Sequence, residues 1–395
     1  MIAIVLAVTV LPTVRASAEP TDGSGTEAGS SDWRQVSAGN GHTCGIRRSG
    51  RLYCWGNDTF GELGNGGDAE NTSTPTQVAG NATNWTSVDA GGAHTCALRT
   101  TGRLYCWGRD TFGQLGDGAP IDDDQTTPTE VAGNVTTWAS VSAGGLYTCA
   151  RRTSGRLFCW GTDSSGQLGN GPTATDQPAP VPVAGNLTTW SSVSVGPAGG
   201  HTCGRRTSGR LFCWGSDSDG KLGNGGADVD AAVPVQVAGG RTDWASVSVG
   251  YFHTCGLRTS GRLFCWGDDS AGELGDGGTP TDASKPVQVF GGLTTWTSVS
   301  AGAYYTCGRR RSGQLWCWGY DGQGQVGDGS PAANRYLPFL VFGGATDWIG
   351  PTAGYDHACA RTTSGRAYCW GSDNAGALGD GAPDVDQFEP SELDP

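Results

Sequence analysis

The sequence predicts an all-β, seven-bladed propeller with one disulfide inside each blade. Three observations carry that expectation. All fourteen cysteines fall into pairs ten residues apart: Cys44 with Cys54, Cys96 with Cys106, Cys149 with Cys159, Cys203 with Cys213, Cys255 with Cys265, Cys307 with Cys317 and Cys359 with Cys369. The pairs step forward by 52 to 54 residues, a period typical of a unit that buries its apolar face only against copies of itself. Between them run apolar stretches of three to six residues broken by glycine, with no window holding a helical 3.6-residue period.

The second copy shows each element in turn. A strand-like stretch Trp85-Thr-Ser-Val88 leads through Ala90-Gly91 to His94-Thr95-Cys96. A turn at Thr101-Gly102 returns the chain as Arg103-Leu104-Tyr105-Cys106-Trp107-Gly108. Asp110 and Gly113-Gln-Leu-Gly116-Asp117-Gly118 follow, then a variable loop and a last strand ending Pro128-Thr-Glu-Val131. Four short strands make one small twisted sheet, and radial packing of such sheets leaves few exposed edges. Most of the 68 glycines recur at turn positions, which argues against disorder. The last copy ends in Pro390-Ser-Glu-Leu393, the counterpart of Pro128-Thr-Glu-Val131, so the chain ends are expected to meet and to close the ring by sheet pairing.

Cysteines facing each other across the hairpin about Thr101-Gly102 fall within disulfide reach. A zinc set of His94, Cys96 and Cys106 is the alternative. Tyr147 and Tyr305 replace the histidine while both cysteines stay, which favours the disulfide.

The recurring G-x-x-H-T-C-x-x-R, L-[YF]-C-W-G and W-G-x-D-x-x-G-x-L-G-[DN]-G resemble the regulator of chromosome condensation repeat family over about residues 32 to 395. The resemblance implies a rigid disc whose faces recognise other proteins. Nuclear members act as nucleotide exchange factors on a small GTPase, and exported ones include propellers that block secreted enzymes. This chain departs from the nuclear members in its cysteine pairs and in what precedes the repeats. Residues 2–14 are apolar and lead to Ala16-Ser17-Ala18, an A-x-A cleavage pattern. The expected layout is a signal peptide over 1–18, a linker over 19–31 and a propeller over 32–395. Its units run about 32–80, 81–133, 134–185, 186–239, 240–291, 292–343 and 344–395. Export agrees with paired cysteines, which persist in oxidising compartments, and it removes the exchange role, which needs the GTPase's compartment.

The net charge of −13, with Lys221 and Lys285 the only lysines, leaves no basic stripe for nucleic acid. No segment of the repeats is long and apolar enough to span a bilayer, and a monomer is expected. The regularly placed Arg47, Arg99, Arg152, Arg206, Arg258 and Arg310, with Thr362 the exception, read as structural, paired with repeated aspartates. The five histidines (His42, His94, His201, His253, His357) share one slot of the repeat. A repeated strand-end histidine is a hydrogen-bonding core residue rather than one member of a unique catalytic set. Asp58, Asp110, Asp163, Asp217, Asp269, Asp321 and Asp373 each precede an Asn or Asp by seven residues. Two such side chains are too few for calcium and read as turn builders. No cofactor, metal or catalytic residue is expected.

Positions alike in every unit build the scaffold, so specificity belongs where units differ. Before the His/Tyr slot, early blades carry Asn40-Gly41, Gly92-Ala93 and Gly145-Leu146, whereas later ones carry Tyr251-Phe252, Ala303-Tyr304 and Tyr355-Asp356. These predict an aromatic crescent on one rim. Blade four inserts residues there (Gly196 to Gly200). Blade six diverges most, with Trp316, Tyr320, Arg335 and Tyr336, the residue types of binding hot spots. The expected function is an exported, non-enzymatic propeller binding an extracellular or surface protein, with an enzyme inhibitor, a surface sensor and a glycan binder as alternatives.

Overall fold

The computed structural model describes residues 32–393 except 68, 173, 198, 331, 332 and 383. The signal peptide and the linker expected before residue 32 lie outside the described residues. Blade one consists of β1 (Trp33–Ala38), β2 (His42–Arg47), β3 (Leu52–Gly56) and β4 (Thr72–Gln77), paired antiparallel in that order. Six further sheets repeat the order, the last with strands Trp348–Ala353, His357–Thr362, Ala367–Gly371 and Gln387–Glu392. The result is the seven-bladed all-β propeller that the cysteine period predicts. First strands of neighbouring blades meet at the centre, where their last residues line a channel of ≈ 130 Å³.

Each cysteine pair lies directly opposite across the second and third strands of its blade. Cys44 faces Cys54 in blade one, Cys96 faces Cys106 in blade two and Cys149 faces Cys159 in blade three. The register repeats with Cys203 against Cys213, Cys255 against Cys265, Cys307 against Cys317 and Cys359 against Cys369. All seven pairs are disulfides with Cα atoms 4.1 Å apart, so the pairing expected from the ten-residue spacing holds for every cysteine. The zinc alternative is therefore set aside.

The chain ends meet as expected, but not by sheet pairing. Among the described residues no sheet takes strands from both ends, because the chain supplies every blade with its own four strands in phase. Blade seven packs on blade one through the bonds used at other interfaces. Trp33 N–H donates to Gly365 O at 2.9 Å, as Trp85 N–H does to Gly50 O at 3.2 Å.

A circle of side chains at the channel supplements these bonds. Ser37, Asp89, Ser142, Ser194, Ser248, Ser300 and Thr352 each accept from a backbone N–H of the next blade at 2.9–3.1 Å. Thr352 accepting from Ala38 N–H completes the circle. Sheet hydrogen bonds hold each blade together, and backbone bonds at the turns together with this side-chain circle hold the blades to each other.

Candidate functional site

The turns between the first and second strands lie on one face of the disc, and those between the second and third strands on the other. Each histidine starts a second strand at the first face, where it is fully buried. Its Nε2 contacts the threonine of the next blade: His42 to Thr95, His94 to Thr148, His201 to Thr254, His253 to Thr306 and His357 to Thr43, at 2.7–2.8 Å. Those five threonines spend their own O–H on backbone carbonyls at 2.8–3.0 Å. They can only accept from the imidazole, so Nε2 carries a hydrogen, and burial, which disfavours the charged form, keeps the ring neutral. Tyr147 and Tyr305 reach further and donate to the carbonyls of His201 and His357.

Burial lowers the pKa of His42, His94 and His253 to about 3 and that of His357 to about 4, and His201 also falls well below its ordinary value. The imidazole signals of these five residues are expected not to titrate between pH 8 and 5 in NMR spectra. In the unfolded chain they protonate below about 6.5, so their contribution to stability is lost as the pH falls from there towards 3. Buried Glu62 and Glu273, raised by desolvation to about 7 and about 8, act in the opposite sense. Residue-resolved titration therefore tests the histidines where a melting curve would mix the two. A histidine midpoint near 6.5 would overturn the assignment.

The repeated aspartates build turns. Oδ1 of Asp58, Asp110, Asp163, Asp217, Asp269, Asp321 and Asp373 accepts the backbone N–H five residues on, at 2.9–3.0 Å. The arginines are structural as expected, but stacking on rings rather than pairing with aspartates is their shared role. Arg47, Arg99, Arg152, Arg206, Arg258 and Arg310 place Cζ 4.0–5.1 Å from two aromatic rings of their own blade. Only Arg47 and Arg258 also reach an aspartate among the described residues, Asp32 at 3.5 Å and Asp243 at 3.9 Å.

The aromatic residues of blades five to seven gather into one cluster on the histidine face. Tyr251 and Phe252 lie 4.1 Å apart, Phe252 and Tyr304 5.0 Å, and Tyr304 and Tyr355 6.1 Å, between ring centroids. Tyr320 of blade six joins them, 6.2 Å from Tyr304, because its backbone N–H bonds to Tyr304 O at 2.8 Å. Tyr320 is exposed and the other four rings are partly so. Tyr304, Tyr320, Gln323 and Asp356 line a cavity of ≈ 490 Å³ together with Ser270 and Ala271. A polar depression of ≈ 470 Å³ over blades one, two and seven shares Gln323 and Asp356 with it. Removal from water raises the pKa of Asp356.

The other blade-six candidates lie away from this cluster. Trp316 is half-buried in the ring slot that Tyr53 fills in blade one, with Arg310 4.0 Å above it. Arg335 binds Asp328 at 2.6 Å on the outermost strand of its blade, and exposed Tyr336 packs against the Gly272 turn of blade five.

Sequence reasoning missed the residue before Leu in G-x-L-G. Glu62, Lys221 and Glu273 occupy it and are nearly fully buried. Glu62 and Glu273 each accept a nearby backbone N–H, and Lys221 Nζ sits 5.8 Å from the Phe252 ring. The signal was present, since the same position carries glutamine in three blades, but a turn residue reads as solvated.

The regulator of chromosome condensation repeat is recognised six times, over 49–98, 101–151, 154–204, 208–257, 260–308 and 312–361. A second description of the same repeat matches seven segments between residues 33 and 377. Over 352 residues the chain is 30% identical to the ultraviolet-B receptor UVR8 of Arabidopsis thaliana, covering 88% of this chain and 78% of the receptor. It is 29% identical to the human E3 ubiquitin-protein ligase HERC2 over 83% of this chain, which spans 7% of the ligase. Human WBSCR16 superposes with a TM-score of 0.75 at 19% identity, covering 84% of this chain and 88% of that one. Prp20p of Saccharomyces cerevisiae gives 0.75 at 21% identity, covering 88% and 87%. No helix among the described residues is long and apolar enough to cross a membrane. With the repeat matched in phase around nearly the whole ring, the chain belongs to the regulator of chromosome condensation repeat family.

Proposed function

We propose that this chain is an exported, non-enzymatic, monomeric propeller that binds a protein through Tyr251, Phe252, Tyr304, Tyr320 and Tyr355. The carrying observation is that five rings from three blades form one surface beside a cavity. The equivalent positions before the His slot in blades one and two carry Asn40-Gly41 and Gly92-Ala93. Tyrosine-rich clusters present large contact area at small entropic cost, as binding hot spots do. Export is supported by the apolar run and the A-x-A pattern before residue 19 and by seven disulfides. Relatives named as a receptor and as ligases do not choose a partner, so the reading rests on this chain's own surface.

The test is affinity capture from secreted and surface fractions, with the wild-type chain and a Tyr304→Ala/Tyr355→Ala variant as baits. A protein held by the first and at least tenfold depleted on the second supports the site. Equal retention on both moves the site elsewhere. No retained protein, together with a positive glycan array, would replace the protein partner with a carbohydrate.

A further inference from the structure

Six blades fill one position with their own arginine and the seventh does not. In blades one to six the guanidinium at the end of the second strand lies against two rings, from the first and third strands. The site is well shielded, with only 14% of the Arg47 side chain and 13% of the Arg258 side chain exposed. In blade seven the position is Thr362, whose short side chain turns back to Ser364 Oγ at 2.7 Å. A groove of ≈ 300 Å³ lies there, lined by Phe342, Asp347, Trp348, Thr362, Arg366 and Tyr368 among others.

The walls of that groove keep the geometry of the filled slots. Trp348 and Tyr368 lie 5.3 Å apart at 83°, against 5.6–6.0 Å and 82–85° in blades one to five. The acid is kept as well: Asp347 precedes Trp348 as Asp32 precedes Trp33 and Asp243 precedes Trp244, where the acid pairs with the blade's own arginine. No cation pairs with Asp347 among the described residues. Arg366 at the rim is held by both carboxylate oxygens of Glu392, so its charge is locally met. On the blade-six side, Arg309 is bonded to the Trp348 carbonyl and does not line the groove. Phe342, exposed and standing where blades one to four carry Ala79, Ala132, Ala184 and Ala238, extends the aromatic wall outward.

We propose that this groove is a binding slot for the guanidinium of an arginine on a partner chain. The slot opens where the second and third strands turn, on the face opposite the tyrosine cluster, and stands independently of the function proposed for that cluster. A planar guanidinium stacks on aromatic faces and meets a carboxylate with paired donors, which a lysine ammonium does not. The six internal arginines are the precedent, and the net charge of −13 favours a cationic segment.

The test is ligand-observed NMR of N-acetyl-arginine amide with the whole chain, beside the lysine and citrulline amides. Wild type is expected to bind the arginine amide and to bind citrulline at least fivefold more weakly. Thr362→Arg, which supplies the seventh internal arginine, is expected to reduce arginine binding about fivefold to thirtyfold and to raise the melting temperature slightly. Arginine binding that persists in Thr362→Arg, or is absent in wild type, overturns the proposal, and equal binding of the lysine amide overturns the guanidinium assignment. If Thr362→Arg does not fold, Asp347→Asn decides, with a severalfold loss expected and no change overturning the slot.

Discussion

Refolding this chain with its seven disulfides reduced is expected to lower the melting temperature by roughly 20 °C. Each bridge closes a hairpin of ten residues' separation, which in the chain-entropy model is worth about 2–3 kcal/mol. For a chain of this length, with unfolding entropy near 2.1 cal/mol/K per residue, that is roughly 3 °C per bridge. The bridges lie in separate blades, share no partner, and so are expected to add. All fourteen cysteines are fully buried. Reductant added to the native protein is therefore expected to act only as fast as blades open, and the comparison requires reduction in denaturant before refolding. Calorimetry of the two preparations decides, and coincident curves would show that the sheets suffice alone. Removing one bridge by Cys255→Ala with Cys265→Ala gives the per-blade value, about 2–3 kcal/mol.

The same repetition that made the blades legible concealed how they are joined. Strand, turn and disulfide are local, and Cys96 with Cys106 can be paired from one copy alone. The His94 bond is not local. It passes over Thr95 of its own blade to Thr148 of the next, and six of the seven copies carry a His-Thr or a Tyr-Thr pair. One sequence cannot tell an in-blade partner from a neighbour's when both are the same residue type. The channel circle hid for a similar reason, because Ser142 and Ser194 read as ordinary strand serines until their donors are placed one blade away.

Differences between copies were legible as differences but not as roles. Trp316 stood out as a hot-spot type, yet it fills the ring slot of its blade beneath Arg310. Thr362 stood out as a missing arginine, and its meaning depended on knowing that the arginines stack on rings rather than pair with aspartates. Tyr320 reads from sequence as a blade-six difference, and only the bond between the third strand's end and the Tyr304 turn places it in the crescent. In each case the residue was found from sequence, and its neighbours across the blade were not.

Trp318→Ala is expected to destabilise the chain by about 3–5 kcal/mol, the usual cost of emptying an aromatic site in a core. The residue is fully buried, and its Nε1–H donates to Glu273 O at 2.8 Å, the carbonyl that also accepts from Thr306 at 3.0 Å. The indole and the threonine therefore share one acceptor on the preceding blade's loop, and the histidine of that blade, His253, donates to the same threonine. Trp318→Phe keeps most of the apolar area and removes the N–H, so it is expected to cost less, with roughly 1 kcal/mol from the lost hydrogen bond. Gly275 tests the packing from the other side. Its φ is +61°, and an added Cβ would lie 2.5 Å from Trp318 Nε1. Gly275→Ala then costs roughly 1–2 kcal/mol for the left-handed backbone plus the collision with the indole. In the Trp318→Ala background the collision is gone and only the backbone cost remains, so the two substitutions are expected to cost less together than their sum. Denaturant unfolding of the four proteins measures that coupling. Strict additivity would show that the loop and the indole do not press on each other, and a loss below about 1 kcal/mol for Trp318→Ala would show that the blade interface does not depend on this residue.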